Sequence, residues 1–127
     1  KKMHPGIDFA ASIGTPIYAT ADGTISEVSV KFSGYGKMVE IDHGFGYRTR
    51  YAHMHEFAVR SGQNVKRGDL IGYVGDTGMS TAPHLHYEVL INGSKVNAVH
   101  YFYNDLSPAE YEKVLELASI ENQSLGM

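Results

Sequence analysis

Hydrophobic and polar positions alternate along much of this chain. In residues 24–30, Ile25, Glu27 and Ser29 fall on one side and Ser26, Val28 and Val30 on the other, the period of two that predicts a strand. Residues 37–42 predict another strand, and His43-Gly44-Phe45-Gly46 a tight turn into a third over 47–53. In that third strand the alternation puts Thr49, Tyr51 and His53 on one face and Arg48, Arg50 and Ala52 on the other. Gly14-Thr15-Pro16 opens a short strand at Ile17-Tyr18-Ala19, Ala21-Asp22-Gly23 signals a turn, and residues 33–36 a loop. Residues 61–78 are dense in turn signals around a short buried strand, Leu70-Ile71-Gly72-Tyr73-Val74-Gly75. Residues 84–91 are apolar and β-prone, and Asn92-Gly93 is a strong hairpin turn before a returning strand over 95–101.

One helix is predicted, near the end. Ser107 serves as N-cap, Pro108 opens the first turn and Glu110 follows at the third position. Tyr111, Val114, Leu115 and Ala118 then form one apolar stripe, and the helix over 107–120 gives way to a polar tail. The pattern predicts one mainly β domain over 1–127, with an antiparallel β core over 4–101 and this helix packed outside it.

Composition narrows the picture. A chain of 127 residues, 43% hydrophobic and 20% charged, suits a single globular domain. A net charge of −3 and the short basic pairs Lys1-Lys2 and Lys66-Arg67 give no support for a nucleic-acid partner. No apolar run approaches the ~20 residues of a membrane span, so no transmembrane segment is expected. The absence of cysteine excludes disulfides and thiolate ligands. A first residue of lysine, three positions before a candidate ligand, reads as a fragment or mature form of a longer protein. An inhibitory or anchoring N-terminal region is the expectation for what precedes it.

Seven histidines raise the prospect of metal chemistry. In Pro83-His84-Leu85-His86-Tyr87-Glu88-Val89, His84 and His86 would project to the same face, about 6 to 7 Å apart. That spacing suits one metal ligand and one neighbour acting on what the metal holds. At the other end, His4-Pro5-Gly6-Ile7-Asp8 is unsuited to helix, and in an extended segment His4 and Asp8 share a face. Two histidines and an aspartate are ligands zinc accepts, and three protein ligands leave a fourth position open. Glu88 shares the face of His84 and His86, where it either orients a ligand or faces solvent. His43, His55 and His100 are read as ordinary satisfied histidines.

Three motifs in order, His-x-Gly-x-Asp at 4–8, Tyr-Ala-His at 51–53 and His-Leu-His-Tyr-Glu at 84–88, resemble the M23 zinc metallopeptidases. These are the lysostaphin-type, LytM-like cell-wall endopeptidases. The resemblance implies a barrel-sandwich-hybrid type of β domain with an open groove and one Zn2+ at its floor, held by His4, Asp8 and His86. It implies that His53 and His84 are the unligated catalytic histidines. It also implies an endopeptidase acting on the peptide stems or cross-bridges of bacterial peptidoglycan, in the cell envelope, periplasmic or extracellular. Gly-Gly bridges and D-amino-acid cross-links both fit such a groove.

Two other readings compete with this one. M23-like domains also occur as non-catalytic regulators that have lost ligands and activate other wall hydrolases, whereas all five residues are present here. The run from Gly62 to Gly72, Gly-x-x-Val-x-x-Gly-Asp-x-Ile-Gly, also resembles lipoyl- and biotinyl-carrier domains. Those need a lysine at an exposed hairpin tip, and none stands in a matching context. The run is therefore read as β-hairpin architecture alone.

Overall fold

The structure is a computed structural model that describes residues 6–78 and 82–97. The alternating segments form ten strands: β1 (Gly6–Ala10), β2 (Pro16–Tyr18), β3 (Gly23–Val30), β4 (Lys37–Gly44), β5 (Tyr47–Ala52), β6 (Met54–Phe57), β7 (Asn64–Val65), β8 (Leu70–Val74), β9 (His84–Ile91) and β10 (Ser94–Val96). Seven of them make one sheet in the order β1-β9-β5-β4-β3-β7, with β10 also on β9, and three make a second in the order β2-β8-β6. Every pairing between these strands is antiparallel. The mainly β, antiparallel expectation therefore holds. The helix expected over 107–120 and the end of the strand expected over 95–101 lie outside the described residues. Among the described residues no helix is long and apolar enough to cross a membrane.

The register of the large sheet divides its residues into two sets. Asp8 pairs with His86 and His86 with Ala52, while Arg50 pairs with both Glu88 and Glu40. Opposed residues project to the same side of a sheet, so one face is polar. The alternate set, Phe9, Leu85, Tyr87, Val89, Tyr51, Val39 and Ile41, joins Ile17, Met54, Ile71 and Val74 of the small sheet in one buried core. Each fully buried aliphatic side chain there contributes about 1.5–3 kcal/mol. The two core tyrosines keep their hydroxyls satisfied on Thr20 Oγ1, at 2.9 Å from Tyr51 and 3.0 Å from Tyr87.

The hairpin expected in the run from Gly62 to Gly72 does not form. β7 pairs with β3 in the large sheet, and β8 pairs with β2 and β6 in the small one. The intervening turn, closed by Asp69 N–H on Lys66 O at 2.9 Å, carries the chain from one sheet to the other. Periodicity identifies strands but not their partners. The hairpin at Asn92-Gly93 does form, with both residues at positive φ (49° and 84°). The β4–β5 turn has the same signs, 54° at Phe45 and 82° at Gly46.

Candidate active-site groove

The polar face of β1 and β9 brings Asp8, His84 and His86 together, with Asp8 opposite His86 in the register. Asp8 Oδ1 lies 2.7 Å from His86 Nδ1 and 3.6 Å from His84 Nε2. Close approach here requires Gly6, since a Cβ on it would meet His86 Cε1 at 2.5 Å. The Gly of the first motif thus makes room for a histidine of the last. His84 donates from Nδ1 to Ala82 O at 2.9 Å, which leaves the lone pair of the neutral ring on Nε2. His4 lies outside the described residues, and among those described no group of three His, Cys, Asp or Glu is arranged to hold a metal ion.

His53 departs from the sequence expectation. Alternation along 47–53 put it with Thr49 and Tyr51, which belong to the core face. β5 ends at Ala52, and His53 has φ +60°. That conformation breaks the alternation and carries the side chain to the polar face. Its ring centroid is 4.6 Å from that of His84 and 6.0 Å from that of His86. Nδ1–H donates to Thr77 O at 2.7 Å, so its lone pair too sits on Nε2. Burial lowers the pKa of His53, and the neighbouring His84 and His86 push the same way against the raising effect of the Thr77 carbonyl. Burial thus favours the neutral ring.

Glu88 is 2% exposed, which excludes the solvent-facing alternative. Its Oε2 lies 2.8 Å from His86 Nε2, so His86 is bracketed between two carboxylates. Burial works against a charge on His86, yet the hydrogen bonds to Asp8 and Glu88 prevail and raise its pKa to about 9. Burial equally opposes a charge on Glu88; the bonds from His86 and Tyr35 and the charges of His86 and Lys95 bring it down to about 2. The hydrogen bond with His86 holds Asp8 below the ordinary carboxylate range. Alongside, Gly34, Tyr35, His53, His86 and Lys95 line an open cavity of about 230 Å³.

The sequence reading missed Tyr35, Arg50 and Lys95. Tyr35 was hidden in a loop, where its signal was an aromatic residue between two glycines. Arg50 and Lys95 look like ordinary surface cations on half-exposed strands. His43 fits its ordinary reading, bonded to Asp22 O and Thr49 Oγ1 at 2.7 Å each. His55 is exposed.

Fold and site together define an antiparallel β protein with a histidine–carboxylate groove. The model of peptidase family M23 matches residues 2–98, and the chain belongs to that family. It is 52% identical over 98 residues to the DD-carboxypeptidase/endopeptidase Mpg of Neisseria meningitidis serogroup B, which is 77% of this chain and 22% of that protein. It is 47% identical over 97 residues to the peptidoglycan DD-endopeptidase ShyA of Vibrio cholerae, 76% of this chain and 22% of that protein. The chain thus spans about a fifth of the length of these curated relatives. The catalytic domain of lysostaphin from Staphylococcus simulans superposes with a TM-score of 0.74 at 35% identity, over 80% of each chain. A zinc-containing peptidase from Vibrio cholerae gives 0.72 at 44% identity, over 75% of this chain and 29% of that one.

Proposed function

We propose that this chain is the peptidase domain of a zinc-dependent endopeptidase that hydrolyses peptide stems or cross-bridges of bacterial peptidoglycan. Its action would then lie in the cell envelope, periplasmic or extracellular. The observation that carries the reading is the convergence of Asp8, His53, His84 and His86 from β1, the end of β5 and β9 around one groove. Membership of family M23 and the names of the relatives support it.

Asp8 and His86 would hold one zinc ion together with His4. The residues present fit the ion. Asp8 Oδ1 and His86 Nδ1 already converge at 2.7 Å, and the far nitrogen of His86 is anchored by a buried carboxylate, the usual support of a ligating histidine. When bound, the ion would lower the pKa of a coordinated water and polarise the scissile carbonyl. His53, fixed by Thr77 O and favoured in its neutral form by burial, presents Nε2 as a proton acceptor for the attacking water. His84, fixed by Ala82 O, presents its own Nε2 beside Asp8. One ring can take the proton from the water while the other, once protonated, donates to the leaving amine or steadies the oxyanion. Both rings are held in the same tautomer, so the two roles are described symmetrically.

The test is digestion of purified peptidoglycans of different cross-link chemistry, with mass analysis of the fragments. One relative is named a peptidoglycan DD-endopeptidase and another a DD-carboxypeptidase/endopeptidase, so D,D-cross-linked stems come first and glycine-bridged walls second. Release of un-cross-linked stems that depends on bound zinc is expected. A zinc-loaded chain that binds these walls and cleaves none of them would overturn the reading and identify a regulator.

A further inference from the structure

Tyr35 lies on the loop between β3 and β4 and touches both halves of the groove. Its hydroxyl donates to Glu88 Oε1 at 2.7 Å and accepts from Arg50 Nη1 at 3.2 Å. The other oxygen of Glu88 is the one on His86 Nε2, at 2.8 Å. Its backbone carbonyl accepts the N–H of His53 at 2.8 Å. One residue is therefore bonded to the support of His86 through its side chain and to His53 through its main chain.

The loop is fixed in place from the far side. Gly34 and Gly36 have φ of 68° and 64°. A Cβ on Gly36 would overlap the backbone of Thr77, and one on Gly78 would overlap Gly36. Thr77 in turn accepts Lys37 N–H at 3.0 Å and donates to Met54 O at 2.7 Å through its hydroxyl. Its carbonyl holds the His53 ring. Glycine at both contact points lets the Tyr35 loop and the Thr77 segment meet backbone to backbone.

Glu88 also has competing partners. Lys95 Nζ is 3.3 Å from Oε2, and Arg50 Nη1 is 3.9 Å from Oε1. With the Tyr35 hydroxyl removed, Oε1 would keep only the longer Arg50 contact, and the carboxylate could turn towards its cations and away from His86. We infer that Tyr35 is a positioning residue. Its hydroxyl holds Glu88 so that His86 presents Nδ1 to Asp8, while its carbonyl fixes His53 across the same groove. The inference rests on the proposed role of His86 as a metal ligand.

The experiment measures the affinity of the full chain for Zn2+ alone, in competition with a chromophoric chelator, beside the thermal midpoint of the metal-free protein. Tyr35→Phe keeps the ring and the carbonyl. It should weaken zinc binding about 10- to 100-fold, the usual loss when the partner of a ligating histidine is disturbed. Glu88→Gln should weaken it comparably, and the double variant little further, because the hydroxyl reaches His86 through that carboxylate. Unchanged zinc affinity in folded Tyr35→Phe, with only the thermal midpoint lowered, would mean a purely structural hydroxyl and overturn the inference. Additive losses in the double variant would overturn it as well. His86→Ala separates the two levels. If it keeps wild-type affinity, the ligand assignment and this inference both fall; if it loses zinc while Tyr35→Phe does not, only the inference falls.

Discussion

A non-glycine residue at φ +60° is in a region that costs about 1–2 kcal/mol relative to its ordinary conformations, and His53 is held there by two hydrogen bonds. Its N–H is on Tyr35 O and its Nδ1–H on Thr77 O. Strain over-determined by its surroundings is common where a side chain must be aimed, and here it aims an imidazole at His84. If His53 and His84 act on water rather than on the metal, His84→Ala should keep its zinc and lose about 10²- to 10⁴-fold in hydrolysis rate. Metal analysis beside a rate on one peptidoglycan preparation checks this, and a zinc-free variant would make His84 a ligand. Phe45 is strained without such support. It is 99% exposed, at φ 54° in a turn whose twin uses Asn92-Gly93. Asparagine tolerates this conformation far better, so Phe45→Asn should raise unfolding stability by about 1 kcal/mol, and a lower denaturation midpoint would contradict it. The motif gave the identity of His53 but not its face. Nothing in Ala52-His53-Met54 signals positive φ, because no glycine stands there. Tyr35 was harder still, since its role exists only once the loop is folded against β9.

Strands β3, β4 and β5 carry a second polar cluster beside the groove. Glu40 on β4 is buried and accepts from Arg48 Nη1 at 2.7 Å, Arg50 Nε at 2.8 Å and Ser26 Oγ at 2.8 Å. Arg50 reaches on to Tyr35, so the cluster joins the polar face of β4 and β5 to the site. Burial opposes the charge on Glu40, but the bonds from Arg50, Arg48 and Ser26 outweigh it and hold its pKa below the usual value of 4.5. A carboxylate whose pKa is lower folded than unfolded stabilises the fold above the unfolded value. That contribution is lost as pH falls through the folded one. Glu40→Gln should therefore lower stability by about 1–3 kcal/mol at pH 7, and the gap from wild type should narrow in acid. Denaturant midpoints of both proteins at pH 7 and pH 3 measure it; an equal gap at both would remove the charge from the explanation. At this scale the sequence was most informative. Alternation placed β3, β4, β5, β9 and the Asn92-Gly93 turn, and put Arg48 and Arg50 opposite Thr49 and Tyr51. It failed at β7 and β8, which are adjacent in sequence and belong to different sheets, because pairing partners are chosen by packing across the molecule.

The two faces of the large sheet divide the labour of the molecule. One face, through Phe9, Val39, Ile41 and Tyr51, meets Ile71 and Val74 of the small sheet, all essentially inaccessible to solvent. The other holds His53, His84, His86, Asp8 and Glu88, whose hydrogen bonds run to one another, to Tyr35 and to the carbonyls of Thr77 and Ala82. The apolar burial that drives folding thus lies on the side away from the site. A small metallo-domain folded around its ion unfolds when the ion is removed; this arrangement predicts the opposite. Chelation should abolish hydrolysis yet leave the β-sheet far-UV signal and one cooperative thermal transition. The transition should shift only by the linkage contribution, about 2.7 kcal/mol of stability lost relative to zinc at a hundredfold excess over its dissociation constant. Added Zn2+ should then restore activity without a refolding step. Circular dichroism through a chelation and reconstitution cycle, followed by the rate on cross-linked stems, checks the expectation. Loss of the cooperative transition in the metal-free chain would mean that the ion, rather than the core between the sheets, holds the polar face together.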